Sequence, residues 1–144
     1  MGNVVRTAPL GAIGARIMVD AVATGGRVTL IEITLPSREL VAPLHRHSRE
    51  DEYTVVLAGR IGAMLGEKVV HAEPGDLIYK PRDQWHTFWN AGDEPARVIE
   101  IICPAGFERF IDEFALNAEA PTPEASVAVG ARYGLVFDFG SAPG

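Results

Sequence analysis

The chain has 144 residues, of which 47% are hydrophobic and 22% are charged, and its formal net charge is −6. This length suits one domain, residues 1–144, and the acidic balance argues against nucleic acid or an anionic membrane as a partner, because both favour a basic face. No apolar run reaches the ~18 residues of a membrane-spanning helix, and no secretion signal is evident. The single cysteine, Cys103, excludes an internal disulfide and a cysteine-rich zinc site. We therefore expect a soluble cytoplasmic domain.

Glycine and proline divide residues 1–104 into short segments that are rich in β-branched and aromatic residues. These segments predict strands at 27–35, 44–47, 53–58, 61–65, 68–72, 75–80, 85–89 and 96–103. A series of strands without an intervening helix favours an antiparallel sandwich or barrel over an α/β sheet.

The hydrophobic period changes after Pro104. An apolar stripe at helical spacing predicts a helix over about 105–117, with Glu108 among the charged residues on its other side; the stripe consists of Phe107, Phe110, Ile111 and Phe114. The tail, 118–144, has no clear period, and we interpret its Ala-Pro-Thr-Pro stretch as a linker. Alternating apolar residues from Tyr133 to Phe139 predict either a final strand or an arm that reaches a partner subunit.

Three histidines and one glutamate have a spacing that makes metal binding geometrically easy. His45 and His47 are two residues apart, so their side chains share one face of an extended strand. A tight reversal over 48–51 would return Glu52 to their side, and His86 lies on the aromatic segment 85–89. Three neutral imidazoles and one carboxylate suit a divalent Fe, Mn, Ni, Co, Cu or Zn ion.

The same residues belong to two short motifs through which the chain resembles a cupin. The first motif is His45-Arg46-His47, four residues, Glu52, six residues and Gly59. The second is Gly75, five residues, Pro81, then Gln84-Trp85-His86, three residues and Asn90. A spacer of 15 residues separates the motifs, as is typical of small microbial cupins.

The resemblance covers roughly 27–114, and the segment PAGFERF at 104–110 further resembles single-domain cupins grouped with quercetin dioxygenase. One position departs from the pattern: Asp83 replaces the usual glycine of the second motif. Aspartate tolerates a left-handed turn better than most residues, so we expect the turn to persist.

The resemblance implies an all-β fold, the cupin jelly-roll barrel (double-stranded β-helix), with a barrel core over about 27–104 and a C-terminal α-helix. It implies one divalent metal ion bound by His45, His47, Glu52 and His86. Among the neighbouring carboxylates of residues 50–52, only Glu52 fits the motif, and His71 lies outside both motifs, where we expect it to be exposed. A small-molecule substrate is implied, and a homodimer is expected because cupins commonly form one.

Our leading hypothesis is a metal-dependent, dioxygenase-like enzyme that acts on a small enolisable or aromatic substrate, with Glu52 as a ligand or a catalytic base. A non-redox isomerase or lyase and a non-catalytic ligand-binding module stay open as alternatives.

Strand parity predicts which side chains line the substrate pocket. The predicted pocket residues are Thr54, Val56, Tyr79, Phe88, Ile99 and Ile101. The same parity places Trp85, Thr87 and Trp89 on the outer face, where we expect an apolar patch that a partner or the C-terminal arm covers.

Overall fold

The computed structural model describes residues 5–115 and 122–140, which form eleven strands and three short helices. The strands are β1 (Arg6–Thr7), β2 (Gly14–Val19), β3 (Thr29–Leu35), β4 (Leu44–His47), β5 (Asp51–Ala58), β6 (Ile61–Leu65), β7 (Lys68–Ala72), β8 (Leu77–Lys80), β9 (His86–Asn90), β10 (Ala96–Cys103) and β11 (Leu135–Asp138). The helices are α1 (Ala21–Thr24), α2 (Glu108–Ala115) and α3 (Pro123–Arg132). None of the helices in these two ranges is long and apolar enough to cross a bilayer.

All eight strands expected from the sequence are present, and the fold is all-β as predicted. The eleven strands of the described residues form two antiparallel sheets, with the strand orders β1-β2-β3-β10-β5-β8 and β11-β4-β9-β6-β7. Strand β3 alternates buried and half-buried residues, so one face of the six-stranded sheet supplies apolar side chains to the core. Ile31 and Leu35 of β3 pack there with Ile61 and Phe88 of the second sheet.

Strands β1 and β2 extend the six-stranded sheet beyond β3, although the sequence interpretation began its strands at residue 27. Ala8, just after β1, is buried, and β2 buries Ala15 and Ile17 on either side of the exposed Arg16. Small inward-facing residues weaken the hydrophobic alternation, which explains why this hairpin was missed.

The C-terminal part differs from the linker that the sequence suggested. Thr122 caps helix α3 by accepting a hydrogen bond on Oγ1 from the backbone N–H of Ala125 at 3.1 Å, and Pro123 opens the helix. Proline is well tolerated at the first helical position, so Thr122-Pro123 marks a helix start. Residues 116–121, which include the expected end of α2, and 141–144 lie outside the described residues.

Strand β11 resolves the two alternatives for the alternating apolar residues in favour of a final strand. It pairs with β4, with Leu135 opposite His47 and Phe137 opposite His45. The C-terminal strand therefore flanks the histidine-bearing strand directly.

Helix α2 is confirmed, but Glu108 is not on its solvent side. This residue is 2% exposed. Its carboxylate accepts hydrogen bonds from the hydroxyl of Thr29 at 2.7 Å and from the backbone N–H groups of Gly106 and Ala21, both at 2.8 Å. Glu108 thus fastens the start of α2 to the barrel wall.

The outer face of β9 is largely covered, contrary to the expected aromatic patch. Thr87 is fully buried, and its hydroxyl donates to the carbonyl of Ala42 at 2.6 Å. The indole of Trp89 lies against Gly62, where a Cβ atom would approach the ring to 2.3 Å. Glycine at residue 62 is therefore required by the close approach of this tryptophan.

Candidate metal centre

Strands β4, β5 and β9 carry the four candidate ligands into the space between the two sheets. His45 on β4 is the direct partner of His86 on β9, and His47 follows on the same face of β4. Glu52 projects from β5 of the opposite sheet. The exposed fraction is 8% for His45, 5% for Glu52 and 1% for both His47 and His86. All four side chains are therefore buried in one region.

The ring nitrogens of the three histidines converge on one point. One nitrogen from each of His45, His47 and His86 lies within 4.8 Å of the other two. Oε1 of Glu52 is in close contact with Nε2 of His47 and is 4.0 Å from Nε2 of His86. This arrangement brings together all four residues that the motifs single out.

Nε2 of His86 is buried and has no hydrogen-bond partner among the described residues. The buried Oε1 of Glu52 contacts Nε2 of His47, an atom that would itself bind the ion. Buried polar atoms are rarely left unpaired, and those that are require an explanation such as a missing ion. Both are donor atoms of the kind that bind Zn or Fe. The residues present therefore fit a divalent ion.

The imidazoles are oriented by partners on their far side. Nδ1 of His45 donates to the carbonyl of Pro43 at 2.7 Å, and Nδ1 of His86 donates to the carbonyl of Gln84 at 3.1 Å. These bonds leave the Nε2 lone pairs free, as metal ligation requires. His47 lacks such a bond: its Nδ1 faces the buried carboxylate of Glu50 at 3.6 Å, which is too long for a hydrogen bond.

The electrostatic environment differs between the histidines. Burial lowers the pKa of His45 to about 4 and the pKa of His86 to about 2, so both rings are neutral at pH 7. Burial also opposes protonation of His47, but the carboxylates of Glu52 and Glu50 outweigh it and raise its pKa to about 9. An incoming cation would therefore find two neutral imidazoles and displace a proton from the third.

A buried lysine–glutamate pair adjoins Glu52, and the sequence interpretation did not place it in the site. Nζ of Lys80 lies 2.8 Å from Oε2 of Glu100 and 3.3 Å from Oε2 of Glu52. Burial lowers the pKa of Lys80, but the two carboxylates outweigh it and raise this pKa above its usual value. Burial is also the main reason why the pKa of Glu100 rises to about 7.

This pair explains why the predicted pocket lining was wrong on two strands. Parity was set by assuming that apolar residues face inward, whereas β8 and β10 each turn a charged residue inward. Tyr79 is consequently 48% exposed, and Ile99 and Ile101 are half-buried on the outer face. The signal was one charged residue in each of two apolar strands, Lys80 and Glu100. Since buried charges occur in pairs of opposite sign, this could have predicted which side of each strand faces the interior.

The other three predicted pocket residues are buried, but of these only Phe88 lines the cavity beside the histidines. Thr54 is fully buried and its hydroxyl contacts Glu100, while Val56 packs in the apolar core. The turn at Asp83 is confirmed, since its φ is +65°.

The cavity has a free volume of about 90 Å³. Its lining is mostly apolar and includes side chains from α2 and β11, which the motifs do not cover. The ring of Phe107 lies edge-on to His47 with centroids 4.5 Å apart, and Phe137 lies 5.9 Å from His45. An engineered cavity of about 150 Å³ holds benzene, so the free space here suits a smaller ligand.

Comparison with known proteins identifies the family. Residues 31–102, half of the chain, match the Cupin domain family. The protein is a cupin. The match spans both histidine motifs, β3 to β10, and leaves α2, α3 and β11 outside. No curated protein sequence matches this cupin significantly.

Solved structures with the same fold include several enzymes. KdgF from Halomonas sp. superimposes with a TM-score of 0.62 at 16% identity, covering 74% of this chain and 91% of that one. A predicted oxalate decarboxylase from Thermotoga maritima gives 0.61 at 20% identity, covering 64% and 80%. Streptomyces Pac13, in complex with uridine, gives 0.58 at 17% identity, covering 73% and 79%. At these identities the similarity establishes the shared fold.

Proposed function

We propose that this cupin is a metal-dependent enzyme, dioxygenase-like in its chemistry, that acts on a small enolisable organic molecule. The observation that carries the proposal is the convergence of His45, His47 and His86, with Glu52 beside two of them and Nε2 of His86 buried without a hydrogen-bond partner among the described residues. A divalent ion held there would supply Lewis acidity to substrate oxygens and, if redox-active, a place for O₂.

The protein's own residues would orient the substrate and exclude water. Phe107 and Phe137 cover the histidines from the side of α2 and β11, and Phe88 closes the barrel side. An apolar enclosure of this kind strengthens electrostatic interactions within it. The free volume of about 90 Å³ favours the enolisable substrate over the aromatic one that the sequence left open.

Oxygen dependence tests the reaction class. We expect Fe²⁺-loaded protein, supplied with small 2-oxo acids and 1,3-diketones, to consume O₂ in step with the loss of one of them. An oxygen electrode and product analysis measure this, with an anaerobic incubation as the control. Turnover that continues unchanged without O₂ would contradict the dioxygenase proposal, and absence of any turnover would favour a binding module.

The second candidate is a non-redox lyase or isomerase that uses the same site. The small cavity favours it, because this chemistry requires space for the substrate alone. Equal activity with Zn²⁺ and Fe²⁺, independent of oxygen, would distinguish it from the first candidate.

The cytoplasmic location that the sequence analysis expects stays a prediction.

We further infer a homodimer that forms through the outer face of β5, β8 and β10. The sequence interpretation had instead expected the exposed apolar patch on β9. This face carries Leu57, Leu77 and Tyr79, which are 38%, 55% and 48% exposed, and Tyr79 stacks on Tyr53 with centroids 5.1 Å apart. Strand β8 is also an open edge of its sheet, so a second copy could bury both features.

Light scattering tests the dimer. We expect a mass twice the 15.5 kDa of one chain at micromolar concentration, and a shift toward the monomer in Leu77→Asp, which places a charge in the proposed interface. Val69→Asp is the matched control, since Val69 is 49% exposed on β7 of the other sheet. A monomeric wild-type protein would contradict the inference.

A further inference from the structure

A continuous line of buried polar side chains runs across β10, β5 and β8 and ends at Glu52. The hydroxyl of Thr54 contacts Oε1 of Glu100, whose Oε2 accepts a hydrogen bond from Lys80, which in turn donates to Oε2 of Glu52. Sheet register brings these residues together, because Lys80 is the direct cross-strand partner of Glu52, and Glu100 is that of Thr54. The exposed fractions of Lys80, Glu100 and Thr54 are 1%, 3% and 0%.

Three side chains surround the ammonium group of Lys80. Nζ donates to the carboxylate of Glu100 at 2.8 Å and to that of Glu52 at 3.3 Å. The ring of Phe88 takes the third side of the ammonium group, with Nζ at 4.6 Å from the ring centroid, a cation–π contact. Lys80 therefore directs its hydrogen bonds at two carboxylates, one of which belongs to the candidate ligand Glu52.

The two carboxylate oxygens of Glu52 have different partners. Oε2 accepts from Lys80, whereas Oε1 faces the imidazoles of His47 and His86. We propose that Lys80, anchored by Glu100, is a positioning residue that fixes Glu52 as a one-oxygen ligand. A carboxylate held by one oxygen occupies one coordination position, so a second position stays available for a substrate. This inference rests on the proposed metal site.

A purely structural ion pair would predict a different result. Buried ion pairs often contribute little net stability, so burial alone does not explain this pair. A structural pair would affect the melting temperature, but it would leave the metal affinity and the ligand geometry of folded protein unchanged. Metal binding by the isolated protein therefore separates the two roles without an activity assay.

The test compares Co²⁺ binding by the wild type and by the double variant Lys80→Met/Glu100→Gln. The double change removes the positive charge without leaving an unpaired buried carboxylate at residue 100. We expect Co²⁺ to bind about 10- to 100-fold more weakly, the usual range for a partner of a metal ligand. We also expect the visible spectrum of the saturated protein to change, because Glu52 gains freedom to bind through both oxygens. Lys68→Met/Glu67→Gln is the matched control, since both residues are exposed where the β6–β7 turn meets β7.

Each outcome either supports or overturns the positioning role of Lys80. An affinity within twofold of the wild type and an unchanged saturated spectrum would overturn the positioning role while the metal site stands. Absence of Co²⁺ binding by the wild type would overturn the metal site and the positioning role together. If the double variant does not fold, the isosteric Glu100→Gln decides: we expect affinity several-fold weaker than the wild type, and equal affinity would overturn the inference.

Discussion

Replacing His86 with alanine should weaken Co²⁺ or Zn²⁺ binding by about 100- to 1,000-fold. Four-ligand sites bind zinc with about 10–16 kcal/mol, so one ligand contributes roughly a quarter of that, and 1.4 kcal/mol corresponds to tenfold in affinity. His86 is neutral, buried and oriented by the carbonyl of Gln84, and its Nε2 has no other partner among the described residues. Competition with a chromophoric chelator measures the change.

His71→Ala is the matched control for this experiment. His71 is exposed on the β6–β7 hairpin, as the sequence predicted, so its removal should leave metal affinity unchanged. Equal affinity of the wild type and His86→Ala would remove His86 from the site. A His86→Ala protein that loses the metal and keeps its melting temperature would show that the ion does not merely brace the barrel.

Glu108→Ala should lower the free energy of unfolding by about 3 kcal/mol, the cost of leaving one buried and two half-buried donors without a partner. Alanine would leave the hydroxyl of Thr29 and the N–H groups of Gly106 and Ala21 without the carboxylate that accepts their hydrogen bonds. In a domain of this size the loss corresponds to a fall in melting temperature of about 10 °C. Thermal unfolding monitored by circular dichroism measures it.

Glu67→Ala is the matched control, because Glu67 is exposed at a turn. We expect its melting temperature to stay within about 2 °C of the wild type, since surface changes rarely exceed ±0.5 kcal/mol. Equal stability of Glu108→Ala and the wild type would show that Glu108 does not fasten α2. The site depends on this attachment, because Phe110 and Ile111 of α2 line the cavity.

The barrel and the four candidate ligands were accessible from the sequence because each depends on local pattern. Alternation placed His45 and His47 on one face, and the motif spacing selected Glu52 from among three consecutive carboxylates. The left-handed turn at Asp83 follows from the conformational tolerance of aspartate. These features need no knowledge of distant contacts.

The features that were missed depend on contacts between residues far apart in sequence. Lys80 and Glu100 are separated by 20 residues, and each faces the interior because the other is there. The sequence does not show this pairing, so the prediction assumed that apolar residues face the interior. It therefore placed Ile99 and Ile101 on the inner face of β10. Glu108 likewise appeared solvent-facing, since its partner Thr29 lies 79 residues away.

Anomalous X-ray scattering from crystals of protein purified without chelators tests the central claim, that these four side chains bind one divalent ion. We predict a single peak per chain, about 2.0–2.2 Å from Nε2 of the three imidazoles and from Oε1 of Glu52. Fluorescence at the absorption edge would identify the element. A map at atomic resolution that shows no peak between His45, His47, His86 and Glu52 in metal-supplemented crystals would contradict the claim.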